Sequence, residues 1–186
     1  MPDETRRNPH VHRAILDAAW DLTAAGGWAA VSVDAIAARA GVGKRTVYRW
    51  WPSKAAVVLE AFLDRARVNP VITRATTAEG LLRAHARHFV DLYVDTELGR
   101  VFTGLLGAAQ QDPDLAARLG EHWFEPRRAP LRTSTEAALP PGTDVELLLD
   151  LVFAPLHYRL LTGRRPLDHA YADAVVTAVL LGGTGN

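Results

Sequence analysis

Residues 33–54, VDAIAARAGVGKRTVYRWWPSK, contain the pattern that decides the fold of this chain. Apolar residues recur at helical spacing in the first third of this stretch. Ser32 precedes them and is a suitable N-cap, because its hydroxyl can accept a backbone N–H of the first turn. Gly41 follows them and favours a turn, since glycine adopts a positive φ at little cost. The stretch therefore begins with a short helix that ends in a glycine turn.

A second short helix is predicted directly after this turn, over residues 44–51. Val47 and Trp51 are four residues apart and are expected to face inward. The other side chains of this helix are basic, hydroxyl-bearing or aromatic, which suits contacts to phosphates and base edges. Pro52 ends the helix, and Lys54 opens the next one at a position suited to a phosphate contact. This layout predicts a helix-turn-helix, whose second helix enters the DNA major groove.

The same segment resembles the DNA-binding domain of TetR-type transcriptional regulators. Gly43 departs from the family pattern, because many members carry serine or threonine there, and the departure removes a helix cap. Four groups of residues carry the resemblance in their order and spacing: Ile36-Ala37, Ala40-Gly41-Val42, Thr46-Val47-Tyr48 and Pro52-Ser53-Lys54.

The resemblance implies that both cations and residues with hydroxyl or aromatic groups contact DNA. The residues expected to contact bases are Lys44, Arg45 and Arg49. The residues expected to contact phosphates are Thr46, Tyr48, Trp50 and Lys54, and Ser32 joins the DNA-binding set at the start of the first helix.

The composition is compatible with this interpretation. The chain has 186 residues, 48% of them hydrophobic, and a formal net charge of zero. Residues 1–54 nevertheless carry three more basic than acidic residues. There is no cysteine, which excludes disulfides and cysteine-based metal sites. The polar start of the chain is unlike a signal peptide, and no run suits a membrane span, so we expect a cytoplasmic protein, nucleoid-associated when bound to DNA.

Helical patterns continue through the rest of the chain, without an alternating segment that would indicate a strand. Thr76 and Glu79 have capping-box spacing, which predicts a helix start there. We predict an all-α protein with a DNA-binding domain at residues 1–54. A regulatory and dimerisation domain is predicted at residues 55–186.

The helix predicted over residues 144–161 is apolar nearly all round, so it should be buried on more than one side. A partner subunit could cover it, or it could be the central core helix of a monomer. The resemblance implies a homodimer in which the last two helices of each subunit form a four-helix interface. The candidate interface residues are Leu148, Leu151, Val152, Leu156, Ala170, Ala174 and Val175.

The resemblance also implies a pocket in the C-terminal domain for a small, largely apolar ligand. The helix that starts at Lys54 is the expected rigid link between that domain and the DNA-contacting residues. The candidate ligand-binding residues combine apolar bulk with a few polar groups, although they could equally fill the core. They are Phe89, Tyr93, Phe102, Trp123 and His157.

Together these features predict a one-component transcriptional regulator, a repressor rather than an activator, that binds palindromic double-stranded DNA. One alternative is a helical ligand-binding or scaffolding protein with an idle DNA-binding surface. Another is a helical enzyme that uses His85, His88 or His157. His85 and His88 have a spacing that could hold a metal, but the apolar stripe around His85 favours a core histidine. No catalytic residue, cofactor or metal is expected.

Overall fold

The computed structural model describes residues 8–66, 71, 73–164 and 166–182, and these residues form helices without any strand. This confirms the predicted all-α class. A 3-10 turn, Trp28–Ala30, and a π-helical turn, Gly120–Phe124, accompany the α-helices. The α-helices are α1 (Pro9–Gly26), α2 (Val33–Arg39), α3 (Lys44–Trp50), α4 (Lys54–Ala66), α5 (Ala78–Tyr93), α6 (Glu97–Ala109), α7 (Pro113–Leu119), α8 (Glu125–Glu136), α9 (Val145–Thr162) and α10 (His169–Gly182).

Side-chain caps explain where several of these helices begin. The carboxamide of Asn8 accepts the backbone N–H of His10 at 3.0 Å at the start of α1. The carboxylates of Asp112 and Asp144 cap α7 and α9. Each accepts the backbone N–H of the residue three positions later in the chain, at 3.0 Å. Each cap satisfies a donor that the helix itself leaves unpaired.

The start of α5 differs by one residue from the prediction. Thr77, and not Thr76, is the N-cap, and its hydroxyl accepts the N–H of Gly80 at 3.1 Å. The capping-box spacing from Thr76 to Glu79 was therefore the wrong register. Two adjacent threonines can both precede a helix, and only the backbone decides which of them has the extended conformation of a cap.

The chain folds into two compact units. The first contains α1, α2, α3, α4, α6 and α7. In it α4 packs against α1 and α6, and α6 also packs against α1 and α7. Its largest fully buried side chains include Phe62 and Phe102, whose rings stack at 5.7 Å between centroids and 14° between planes. Packing thus groups α4, α6 and α7 with the helix-turn-helix. The boundary predicted after residue 54, between a DNA-binding domain and a regulatory domain, stays a prediction.

The second unit contains α5, α8, α9 and α10, with α5 packed against the other three. Ion pairs on its surface connect the neighbouring helices. Arg87 on α5 binds Asp173 on α10, and Arg128 on α8 reaches Glu146 and Asp150 on α9, both at 2.7 Å. The π-helical turn leads into α8.

The burial pattern of α9 and α10 separates the candidate interface residues into two groups. Val152 and Leu156 are 0% exposed and Val175 is 9% exposed, so they belong to the core of their own unit. This burial gives them little surface to offer another subunit, and their place in the interface stays a prediction. Leu151, Ala170 and Ala174 are exposed and Leu148 is half-buried.

Candidate nucleic-acid interface

The first helix of the motif, α2, begins and ends where the sequence predicted. Ser32 caps α2, its hydroxyl accepting the N–H of Ala35 at 3.0 Å. Gly41 has a φ of 66°, the left-handed conformation expected for the turn. The N–H of Val42 then donates back to the carbonyl of Ala37 at 3.0 Å. These local bonds end α2 and direct the chain into α3.

The inner side of α3 is anchored in the core. Val47 is 0% exposed and Trp51, which directly follows the helix, is 2% exposed. The N–H of Trp51 donates to the carbonyl of Val47 at 2.9 Å. Gly43 occupies the N-cap position and supplies no side-chain hydrogen bond there. With its inner face fixed, the opposite face of α3 points to solvent.

That outer face carries most of the predicted DNA-contacting residues. Tyr48 is 49% exposed, with its ring and hydroxyl accessible on the outer side of α3. Thr46 and Trp50 are half-buried. The exposed members of the predicted set are Ser32, Lys44, Arg45, Tyr48 and Arg49.

Lys44 is paired within the chain. Its ammonium lies 2.9 Å from a carboxylate oxygen of Asp34, and this hydrogen bond raises the pKa of Lys44. It therefore stays charged at neutral pH. Both side chains are well exposed, so the pair is weak, and a phosphate or guanine can compete for the ammonium.

Lys54 has two partners that the sequence did not indicate. Its ammonium donates to the carbonyls of Val31 at 2.8 Å and Trp28 at 3.2 Å, and it lies 4.7 Å from the centroid of the Trp28 ring. These contacts tie the 3-10 turn to the start of α4. An ammonium has three donors, so the predicted phosphate contact is compatible with this structural role.

A separate aromatic cluster lies in the second unit and contains four of the five candidate ligand-binding residues. Phe89 lies 4.8 Å from Tyr93 and 4.7 Å from His157 between ring centroids. The indole N–H of Trp123 donates to the hydroxyl of Tyr93 at 2.9 Å. Phe102 belongs to the first unit, where its ring stacks on Phe62.

Burial controls the protonation of this cluster. It raises the pKa of Tyr93, which therefore stays a neutral phenol. It lowers the pKa of His157, whose Nδ1–H donates to the carbonyl of Phe153 at 2.9 Å. A neutral phenol and a neutral imidazole are compatible with an apolar ligand.

Arg127 belongs to the same cluster and was missed in the sequence. The centre of its guanidinium lies 3.0 Å from the centroid of the Trp123 ring, a cation–π arrangement. Burial lowers the pKa of Arg127. The spacing of four between Trp123 and Arg127 was the available signal, since such residues are neighbours on a helix.

The histidine-based alternatives gain no support from the geometry. Nδ1–H of His85 donates to the carbonyl of Leu81 at 2.9 Å, and burial lowers the pKa of His85. This is the environment of a core histidine. In the described part of the chain no group of three or more His, Asp or Glu side chains is placed to hold a metal ion. Across the same residues, none of the helices is long and apolar enough to cross a membrane.

The fold and this surface define a helix-turn-helix DNA-binding protein with a helical C-terminal part. Two family models match the chain: "Bacterial regulatory proteins, tetR family" over residues 15–61, and "Tetracyclin repressor-like, C-terminal domain" over residues 72–179. The chain belongs to the tetR family, and it is a DNA-binding transcriptional regulator, not an enzyme.

Individual relatives agree along nearly the whole chain. The uncharacterised HTH-type transcriptional regulator YdeS of Bacillus subtilis (strain 168) is 37% identical over 179 residues, which cover 92% of this chain and 89% of that protein. The DNA-binding transcriptional repressor TetR of Mycobacteroides abscessus is 30% identical, with 90% of each chain covered. The crystal structure of the TetR family regulator SCO0332 superposes with a TM-score of 0.71 at 31% identity, covering 93% of this chain and 98% of that one.

Proposed function

We propose that this regulator represses transcription as a homodimer bound to a palindromic operator, and that a small apolar ligand releases it. The observation that supports DNA recognition best is the two-sided character of α3. Its inner residues Val47 and Trp51 are buried, while Arg45, Tyr48 and Arg49 are exposed on the outside. The M. abscessus relative is named a repressor, which supports repression. A regulator acts where the chromosome is, so we place it in the cytoplasm.

Within this proposal the residues of the motif divide by chemistry. Lys44, Arg45 and Arg49 contact base edges, since cations bind guanine O6 and N7 in the major groove. The remaining residues contact phosphates and fix the position of α3 on the duplex. They are Ser32, Thr46, Tyr48, Trp50 and Lys54.

Replacement of Arg49 tests sequence recognition. The duplex is obtained by selecting a randomised DNA pool with the parent protein. Arg49→Ala should weaken binding to this duplex by about 1–3 kcal/mol and relax the preference at one base pair in each half-site. Binding isotherms on the selected duplex and its single-base variants measure both effects. Arg65→Ala, which removes an exposed arginine paired with Asp17 on α1, is the control. Unchanged affinity and preference in Arg49→Ala would remove Arg49 from the base-contacting set.

The dimer is supported by a stripe of exposed apolar residues along α9. Leu147, Leu151, Tyr158 and Leu161 are each at least half exposed, and their spacings of four, seven and three follow one helical face. Ala170 and Ala174 are exposed on α10. Such a face is unusual on a monomer. We propose that these residues, with Leu148, form the homodimer interface through which two recognition helices bind one palindrome.

The proposed ligand binds in the second unit at Phe89, Tyr93, Trp123 and His157. The predicted role of Phe102, which lies in the first unit with its ring stacked on Phe62, remains part of the proposal. The ligand must bind the DNA-free state more tightly than the DNA-bound state, because otherwise it shifts no equilibrium.

A screen of small apolar metabolites tests the ligand proposal. A true ligand both raises the melting temperature and releases the selected duplex, and Phe89→Ala weakens both effects for the same compound. Tyr48→Phe serves as the control, since it lies in the other unit and should leave the melting-temperature shift intact. Compounds that stabilise the protein without ever releasing DNA would refute ligand-controlled repression. DNA binding that does not respond to salt would favour the idle-surface alternative.

A further inference from the structure

A single carboxylate joins three elements of the first unit behind the recognition helix. Glu60 lies on α4, and its Oε2 accepts the indole N–H of Trp51 at 2.6 Å. Its Oε1 lies 2.7 Å from Nε2 of His12 on α1. Trp51 is the buried residue that directly follows α3. The two oxygens of Glu60 thus hold the end of α3 against α1 and α4.

A series of ring contacts continues from this carboxylate to the DNA-facing side of α3. The His12 ring stacks on the Trp51 ring at 5.2 Å and 27°. The Trp50 ring meets the Trp51 ring edge-on at 5.7 Å and 71°. The guanidinium of Arg49 lies 5.3 Å from the centroid of the Trp50 ring. Each member of the series restricts the next one.

These contacts matter because a base contact requires a fixed guanidinium. An arginine side chain has many rotamers, and an aromatic face selects among them by cation–π stacking. The face offered by Trp50 is in turn set by Trp51, whose one indole donor is bound by Glu60. Supporting hydrogen bonds of this kind keep a binding residue within the narrow geometry that recognition needs.

We propose that Glu60 is a positioning residue for sequence recognition, acting through Trp51 and Trp50 on Arg49. The inference rests on the proposed base contact of Arg49. Glu60 itself is an anion and would be repelled by phosphates, so its contribution is to specificity and not to the attraction of DNA. The ring of His12 also contacts the rings of both tryptophans, Trp50 and Trp51.

Base discrimination distinguishes positioning from simple support of the fold. The measured quantity is the Kd for the duplex changed at the base pair that Arg49→Ala identifies, divided by the Kd for the selected duplex. Each Kd is corrected for active protein by stoichiometric titration. Glu60→Ala and Trp51→Phe should each lower this ratio at least about fivefold. Glu60→Gln keeps an acceptor for the indole N–H and should retain most of the discrimination between the two duplexes.

Asp64→Ala is the matched control. Asp64 lies one turn further along α4 and pairs with Arg13 on α1. It therefore joins the same two helices, α4 and α1, through an ion pair that does not involve Trp51. It should lower the melting temperature comparably and leave the ratio of Kd values unchanged. Equal weakening of both duplexes by Glu60→Ala, or an equal loss of discrimination in Asp64→Ala, would overturn the proposal.

A double-mutant cycle provides the second test. Glu60→Ala should cause no further loss of discrimination in a protein that already carries Arg49→Ala, because the two changes act on one contact. Additive losses would overturn the proposed route through Arg49. A parent protein without any sequence preference would instead refute the proposed function, and the outcomes are therefore distinguishable.

Discussion

At the scale of single residues, Lys54 combines two roles that its position in the sequence did not separate. The proposed role is a contact with a DNA phosphate. The observed one is a pair of hydrogen bonds to the carbonyls of Trp28 and Val31, together with the stacking on Trp28. Since the carbonyls of a turn need donors, replacing Lys54 should affect folding as well as DNA binding.

Lys54→Met separates these roles, because methionine keeps an unbranched apolar stem and removes the ammonium. We expect a loss of about 1–3 kcal/mol in the free energy of unfolding, because both carbonyls lose the ammonium as a donor and that of Trp28 keeps the N–H of Val31 at 3.4 Å. We also expect weaker binding to all DNA sequences, with a salt slope reduced by about 1. Urea unfolding and binding isotherms at several salt concentrations measure the two effects.

Lys44→Ala is the comparison, because Lys44 pairs only weakly with exposed Asp34. It should weaken DNA binding while changing the free energy of unfolding by less than about 0.5 kcal/mol. If Lys54→Met unfolds in urea like the parent protein, the contacts with Trp28 and Val31 do not contribute to stability.

At the scale of elements, the start of α3 lacks a side-chain cap. Gly43 has the extended conformation of an N-cap, with φ −73° and ψ 142°, but it has no side chain that could accept a hydrogen bond from the first turn. No atom lies within 4 Å of the position that a Cβ would occupy there. The recognition helix therefore begins with backbone donors that a small polar side chain could satisfy.

Gly43→Ser should accordingly stabilise the protein. A serine hydroxyl can accept a free N–H of the first turn, and loss of glycine reduces the entropy of the unfolded chain, together worth about 0.5–1 kcal/mol. Gly41→Ala should act in the opposite direction by about 1–2 kcal/mol, because Gly41 has a φ of 66°. Chemical denaturation of both variants measures the changes. A destabilising Gly43→Ser would show that the cap geometry at α3 is unsuited to serine.

At the scale of the whole molecule, the exposed apolar stripe of α9 predicts assembly. Ala174 is exposed whereas its neighbour Val175 is 9% exposed and part of the core. Ala174→Glu should therefore leave each subunit folded and disrupt the dimer by placing an unpaired charge in the interface. DNA binding should fall with it, because each half-site alone holds one recognition helix. Sedimentation velocity and circular dichroism measure assembly and folding.

Two further variants sharpen this prediction. Leu151→Glu, on the exposed face of α9, should also give a folded monomer. Ser134→Glu, at an exposed position of α8, should remain dimeric. A parent chain that sediments as a monomer at micromolar concentration would refute the proposed homodimer.

The sequence by itself determined the helix-turn-helix, because that motif is built from short-range contacts. The bond from Ala35 to Ser32 spans three residues, and the positive φ of Gly41 is a property of one residue. The inward direction of Val47 and Trp51 followed from a spacing of four. The all-α class was likewise visible as periodicity along each segment.

Only the tertiary structure decided which faces meet. α9 is apolar on both sides, so its periodicity gave no direction, and the fold buries Val152 and Leu156 while it exposes Leu151. The partners of Lys54 lie 23 and 26 residues away, and Glu60 reaches His12 across 48 residues. Such contacts depend on how helices pack, and no local pattern of residues encodes the packing of one helix on another that is distant in sequence.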